Sequence, residues 1–396
     1  MNVLVWATTF GADLWSFTRY LDRRDDCRVK VVLDDPATFL REGTAQLFPL
    51  RRTDLVKRRP WNRIVGVPGF RPDVTVMDNR LPLRAPSPAG LMLWHGFGWR
   101  GPNAADTDFA WIHRAIRQTF GDARVPNPRF RWQCFGPWDF EHRTNVSGFH
   151  PVNCRLIGAV SHDDLRQKLD RSLAQPFYPF DVERRKTVLI APTWHYGEVF
   201  AHWGTDADLF DRLLAHLHRR GVNVILRLHD SFRFARPYRR FLHDLTRRYP
   251  NVLLKFKNHH PDNFLDLQVA DVLVTNFSSI ANLFYATLRP TVHVYPVASA
   301  DEAFMDRRYT VFGVRERTVE SARFVWKLPP EDNGGLLARG FDEMMAQIDR
   351  GLDEPDCCRD RAQAFLDRHM LGADGDNAGR AWSALREVVA SAKEAP

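Results

Sequence analysis

Short apolar runs alternate with amphipathic stretches along the whole chain. Met1 to Thr8 is an apolar run followed by Gly11, and Leu14 to Leu21 repeats apolar residues at helical spacing before the polar break Asp22 to Asp26. Val29 to Leu33 is the next apolar run, ended by Asp34-Asp35-Pro36. Strand, helix and strand at this spacing predict a right-handed crossover of a parallel sheet. Asp73 to Met77 and Gly90 to Trp94 read as further strands and Asp106 to Phe120 as a helix, while Pro126, Pro128, Pro137 and Pro151 mark an irregular connection. Leu156-Ile157-Gly158 reads as the last short strand of the first half, and Asp163 to Leu173 as a helix.

After Pro176, Pro179 and the charged run Glu183 to Lys186, which together predict a linker, the alternation restarts. Thr187 to Ala191, Val222 to Leu228, Val252 to Phe256, Val272 to Val274 and Val292 to Tyr295 read as strands. Between them Leu209 to His218, Tyr238 to Arg248, Pro261 to Val269 and Ile280 to Leu288 read as helices. Pro329 to Asn333 is a loop, and Leu336 to Arg350, Arg359 to His369 and Gly379 to Lys393 are predicted as three closing helices. A chain of 396 residues is too long for one ordinary core. The expected fold is therefore α/β, two facing Rossmann-like doubly wound domains with the active site in the cleft between them. The expected boundaries are 1–175 and 186–372, with a C-terminal helix over 373–396.

A hydrophobic fraction of 44% and a charged fraction of 26% are those of a soluble globular protein. No uninterrupted apolar run approaches a membrane span, and the start Met1 to Ala7 lacks the features of a secretory signal, so a cytoplasmic location is expected. The five cysteines are scattered and show no metal-type pairing, which supports neither a disulfide framework nor a zinc site. A net charge of +8 invites an anionic partner. No nucleic-acid-binding signature accompanies it, which leaves anionic lipid, a phosphorylated substrate or a polyanionic glycan. Arg51, Arg52, Lys57, Arg58 and Arg59 with Trp61 form a basic stretch that reads either as a membrane-facing surface or as a solvated helix face.

Four polar clusters fall at the carboxyl ends of predicted strands, where open α/β sheets bind ligands. They are His95-Gly96, Thr193-Trp194-His195, Arg227-Leu228-His229 and Thr275-Asn276-Phe277-Ser278-Ser279. In the last, Ser278 and Ser279 sit between a strand and a helix. They read either as ordinary helix caps or as phosphate ligands assisted by the N–H groups of the first helical turn. His95, followed by a glycine that lets a ligand approach the backbone, reads either as a core histidine or as a functional one. Four such clusters together weigh more than any one of them.

These motifs carry a resemblance. Trp94-His95-Gly96, Ala191 to Trp194, Ile225 to His229 and Thr275 to Ser279 are similar, in order and spacing, to the motif series of the CDP-glycerol glycerophosphotransferases, the teichoic-acid and capsule polymerase family. Asp374-Gly375 with Asn377-Ala378 and Arg380 resembles that family's closing motif, and Leu156 to Asp163 its glycine-to-aspartate segment; the likeness spans about residues 90 to 382. The resemblance implies a GT-B fold, an amino-terminal acceptor domain, a carboxyl-terminal domain for the CDP-linked donor, and peripheral attachment to the inner face of the cell membrane. It implies catalytic roles for His95, as the base toward an acceptor hydroxyl, and for His229. It places Arg227, Thr193, Asn276, Ser278, Ser279 and Asp374 with the donor and its phosphates, and Gly96 on the acceptor side. The partners implied are a CDP-linked polyol donor, a glycan or polyol-phosphate polymer acceptor and an anionic membrane surface; no cofactor, metal or nucleic acid is called for. The chain departs from the family at Asn276 and Phe277, where aspartate and tyrosine are usual, and at Asp230, where proline is usual. The readings that compete with a CDP-alditol phosphotransferase are a GT-B glycosyltransferase using a nucleotide sugar and a non-enzymatic binding protein that kept the fold.

Overall fold

The computed structural model describes residues 1–94, 96–99, 109–192, 199–200, 203–294, 304–310, 313–319, 327–371 and 374–395. They fall into two compact units. The first takes the described parts of Met1–Phe97, Pro102–Gln167 and Leu366–Pro396; the second takes those of Gly98–Gly101 and Lys168–Phe365. Among the described residues no helix is long and apolar enough to cross a membrane.

The first unit is built on seven parallel strands: β1 (Asn2–Trp6), β2 (Arg28–Leu33), β3 (Thr53–Lys57), β4 (Val74–Met77), β5 (Ala89–Met92), β6 (Phe130–Cys134) and β7 (Cys154–Leu156). Their order is β3-β2-β1-β4-β5-β6-β7. The central strands are buried on both faces, which explains their continuous apolar runs. The order reverses at β1 and β4, and Asp78 sits there. Its carboxylate accepts the amides of Thr8 and Thr9, each at 2.8 Å. Burial pushes the Asp78 pKa up while those amides pull it down.

Three expectations are corrected in this unit. Thr53–Lys57 lies in the basic stretch but forms the edge strand β3, paired in register with β2. The proline-marked connection contains β6 and the helix Pro137–Asn145: Pro126 and Pro128 precede the strand, and Pro137 takes the first helical turn, where a missing N–H costs nothing. The helix expected over Asp163 to Leu173 is two short ones, Ser161–Leu165 in this unit and Arg171–Ala174 in the second.

The C-terminal helix Asn377–Glu394 buries Ala381, Leu385 and Val388 in this first unit, and two of the sequence motifs meet at its start. Asp163 accepts from the Asn377 amide at 3.2 Å, the Asn377 side chain at 2.7 Å and the Ala378 amide at 2.8 Å. It thus satisfies the open donors of the first turn from another part of the chain. Gly158 adopts φ +82°, and a Cβ there would stand 1.9 Å from Asn377 Oδ1 and 2.4 Å from the Leu371 carbonyl oxygen.

The second unit holds β8 (Thr187–Ile190), β9 (Asn223–Leu228), β10 (Val252–Phe256), β11 (Val272–Thr275) and β12 (Thr291–Val294), then the antiparallel hairpin of β13 (Phe304–Thr310) and β14 (Gly313–Val319), and finally β15 (Leu336–Ala338). Six of these form a parallel sheet in the order β10-β9-β8-β11-β12-β15. The helix expected from Leu336 starts only at Phe341. Gly335 explains the difference: a Cβ there would lie 2.3 Å from the Thr291 carbonyl oxygen, so only glycine lets this segment dock on β12 in the register Val292↔Leu336. The segment read as a linker is likewise tied to this sheet. At the start of β9 the Asn223 side-chain amide donates to the Asp181 carbonyl oxygen at 2.7 Å, and the Asn223 backbone amide to the Lys186 carbonyl oxygen at 2.8 Å.

Asp163→Ala removes the acceptor for the first turn of the C-terminal helix and is expected to cost about 1–2 kcal/mol, the scale of lost helix caps. Gly158→Ala is expected to cost more, because its Cβ meets backbone and its φ is positive. Urea unfolding of both variants checks the order.

Candidate functional site

Strand β9 is buried along its whole length, so its polar members need internal partners. Arg227 Nη1 donates to Asp266 Oδ2 at 3.0 Å and Nη2 to the His260 carbonyl oxygen at 2.8 Å. Asp266 is 1% exposed, and its other carboxylate oxygen accepts Lys255 Nζ and the Tyr178 hydroxyl, both at 2.7 Å. Burial raises the Asp266 pKa, but Lys255 and Arg227 outweigh it and hold the group ionised, while burial and Asp266 push Tyr178 up. The Arg227 charge is therefore answered inside the unit, where it braces β9 against β10 and the helix Phe264–Val269.

His229 follows at the exit of β9. Burial, Lys257 and Arg233 lower its pKa to about 4 from 6.5, against the opposing pull of Asp230. The Asp230 amide donates to Nδ1 at 2.8 Å. Asp230 Oδ2, 2.9 Å from the same Nδ1, forms an ion pair only when the ring is protonated. The aspartate that stands where the resembling family has proline thus sets both its amide and its carboxylate against one ring nitrogen of His229.

Two strands away, Thr275 ends β11 by donating its hydroxyl to the Ala191 carbonyl oxygen at 2.7 Å, which ties this exit to that of β8. Asn276 is buried. Phe277 is buried with φ +57°, a region that a bulky residue occupies only when its surroundings hold it there. Ser278 and Ser279 follow, half-buried. Ser279 opens the helix Ile280–Tyr285, yet its side chain makes no capping hydrogen bond. The capping role that the sequence left open for it is not the one it plays. The helix has six residues rather than the run to Leu288 expected, so its dipole is short and an anion here depends mainly on the hydroxyls.

The order β9-β8-β11 puts the exits of β9 and β11 two strand spacings apart, about 10 Å. The second sheet therefore brings Arg227, His229, Asn276, Ser278 and Ser279 to one edge. Asp374 belongs to the first unit, where Arg380 grips both its oxygens at 2.8 and 3.1 Å and pulls its pKa to about 2. Gly96 is half-buried beside Phe97, which packs on Trp138 and Phe135 in the first unit. His95, Thr193, Trp194 and His195 lie outside the described residues. Asp266, Lys255 and Tyr178 were not singled out from sequence; a lysine inside the apolar run Val252–Phe256 was the one local sign. Among the described residues no cluster of three His, Cys, Asp or Glu is arranged to hold a metal.

No family model matches the chain, and no curated protein matches its sequence. Solved structures match its fold. The wall teichoic acid polymerase TagF superposes with a TM-score of 0.66 at 13% identity, over 99% of this chain and 89% of TagF. A TagF variant soaked with CDPG superposes at 0.64 and 15%, with the same coverage. The UDP-GlcNAc 2-epimerase of Neisseria meningitidis, bound to UDP-GlcNAc, superposes at 0.56 and 11%, over 98% of this chain and 100% of the epimerase. The two parallel α/β sheets thus follow the fold of TagF and of nucleotide-sugar epimerases, as the expected GT-B class requires.

The His229 shift gives a pH prediction. Between pH 6.5 and about 4 the unfolded chain binds a proton that the folded ring refuses. Its contribution is complete above pH 6.5 and is lost as pH falls toward 4, up to about 3 kcal/mol in all. His229→Gln is expected to flatten the loss of stability between pH 7 and 4.5, measured by urea unfolding at both values.

Proposed function

We propose that the chain is a transferase that moves a polyol phosphate, such as glycerol phosphate, from a CDP-linked donor to a hydroxyl of a glycan or of a teichoic or capsular polymer. The observation that carries this reading is the turn at Ser278 and Ser279. It leaves the Ser279 hydroxyl out of helix capping, at the edge where β8 and β11 reverse the strand order, in a chain that follows the TagF fold over 99% of its length. Ser278, Ser279, Asn276 and Thr193 hold the donor pyrophosphate and its surroundings. His229 donates a ring N–H to a phosphoryl oxygen, and Arg227 acts through Asp266 to fix the exit of β9. His95 takes the acceptor proton beside Gly96 as the acceptor oxygen bonds to the distal phosphorus. The phosphoanhydride P–O bond breaks and CMP leaves with its electron pair. Asp374 orders the closing motif through Arg380.

A second reading is a glycosyltransferase that uses a nucleotide sugar, favoured by the likeness to the epimerase over its whole length. Incubation with CDP-glycerol, CDP-ribitol and a panel of nucleotide sugars separates the two: the first reading expects CMP, the second a nucleoside diphosphate. Replacing Ser278 and Ser279 together by alanine is expected to weaken CDP binding at least tenfold by calorimetry, since hydrogen bonds to a charged group contribute roughly 1.5–3 kcal/mol each. Unchanged affinity removes the serines from the donor site.

A membrane-linked acceptor adds a docking surface, at a place narrower than the basic stretch first suggested. Arg58 is withdrawn from it: its guanidinium bonds to the Ala7 carbonyl oxygen, pairs with Asp34 at 3.2 Å and stacks 5.0 Å over Trp6. Arg51 and Arg52 stand at the opposite end of β3 from Lys57 and Arg59, about 17 Å away. Near the Lys57 end, Trp61, Ile64, Val65 and Leu83 are each at least half exposed, among exposed Arg59, Arg63 and Arg84. The Leu83 amide donates to the Arg63 carbonyl oxygen at 3.0 Å and joins the two segments into one patch. Apolar side chains ringed by cations suit an anionic bilayer, at about 1 kcal/mol per basic residue. Co-sedimentation with anionic vesicles is expected to fall with salt and with Trp61→Ala plus Ile64→Asp, and to change little with Arg51→Gln plus Arg52→Gln. Equal loss from both pairs rejects this patch.

A further inference from the structure

We infer that Trp99 is a positioning residue for the turn at Ser278 and Ser279, acting through Phe277; as a statement about donor binding this rests on the reading above. Phe277 sits at φ +57°, where its Cβ crowds its own backbone, so the conformation persists only if packing holds the ring. Among the described residues two side chains pack on it. Trp99, 2% exposed, meets Phe277 edge-on at 5.5 Å and 78°, and His293 lies under Phe277 at 4.6 Å and 35°. Both are fixed in turn. Trp99 stacks on Phe365 at 5.2 Å, and its carbonyl oxygen accepts the Lys327 amide at 2.9 Å. His293 Nε2 and the Tyr285 hydroxyl share a hydrogen bond at 2.5 Å, and the Tyr285 oxygen accepts the Gly334 amide at 3.1 Å.

The place of Trp99 in the chain makes it more than filler. Phe97 packs in the first unit on Trp138 and Phe135, whereas Trp99, two residues on, is seated in the second. The run that begins at the proposed base His95 therefore ends in a side chain whose packing surface is the proposed donor turn. If Trp99 shrinks, Phe277 is released from the left-handed region, and the two hydroxyls that follow it lose their fixed direction.

The test uses the full chain and four proteins: wild type, Trp99→Ala, Trp99→Phe, and Leu213→Ala as a control in the core of the same unit. Hydrogen exchange of the segment 276–282 and calorimetric CDP affinity are both measured. Trp99→Ala is expected to speed exchange in that segment at least tenfold and to weaken CDP at least tenfold. Trp99→Phe is expected to recover both to within about threefold, and Leu213→Ala, destabilised but distant, to leave both at wild-type values. Should Trp99→Ala not fold, Trp99→Leu takes its place. Wild-type exchange in the segment for the folded Trp99 variant, or equal changes in Leu213→Ala, overturns the inference. Failure of the wild type itself to bind CDP overturns the donor reading instead, and the exchange rates still decide whether Trp99 holds the turn.

Discussion

Both main sheets are wholly parallel, so every strand of a sheet leaves at one edge, and the backbone groups at those exits need partners that the ladder does not supply. The chain answers them with buried side chains. In the first unit Asp78 takes the Thr8 and Thr9 amides, and Asp13 takes the Ser161 amide at 2.9 Å and its hydroxyl at 2.6 Å. In the second, Asp206 takes the Val199 and Phe200 amides at 2.8 Å each, and Thr275 reaches the Ala191 carbonyl oxygen. In the second unit the same edge gathers Arg227, His229, Asn276, Ser278 and Ser279, which accordingly sit on exits held from behind.

Charge inside the second unit follows the same logic. Asp266 is almost fully buried and is matched by Arg227, Lys255 and Tyr178 from two neighbouring strands and the segment ahead of the sheet. Removing one partner of such a set leaves an uncompensated buried charge, at a cost of about 3–5 kcal/mol. That penalty fixes the register of β9 against β10 and hence the height at which His229 emerges. The low pKa of His229 has its origin in the same crowding: partial burial with Lys257 and Arg233 nearby favours a neutral ring. A neutral imidazole still carries one N–H donor at neutral pH, and an arriving phosphate supplies the negative charge that draws its pKa back up.

Much was legible in the sequence because much of it is local. Strand Val252–Phe256 and helix Arg359–His369 have the ends that their periodicity predicts, since a buried run between polar breaks needs no distant information. Two of the polar clusters, Arg227 to His229 and Thr275 to Ser279, lie at the exits of β9 and β11 as the strand pattern predicts, for a related reason: strand ends are set by the same local alternation. What periodicity does not carry is the identity of a partner. Leu336–Ala338 is compatible with a helix by composition and becomes a strand only because Gly335 admits it to β12. Arg58 reads as one more surface cation until Ala7 and Trp6 enclose it. That Arg380 grips both oxygens of Asp374 is likewise not written in the local pattern. By itself the sequence determined the two α/β halves, most of their elements and the polar exits, because side-chain spacing decides which face of an element is buried. Only the tertiary structure decided which charges are answered internally, which segment joins the edge of a sheet, and that Trp99 comes to rest on Phe277. Those outcomes depend on contacts between residues far apart in the chain, whose free energy exists only once the fold has brought them together.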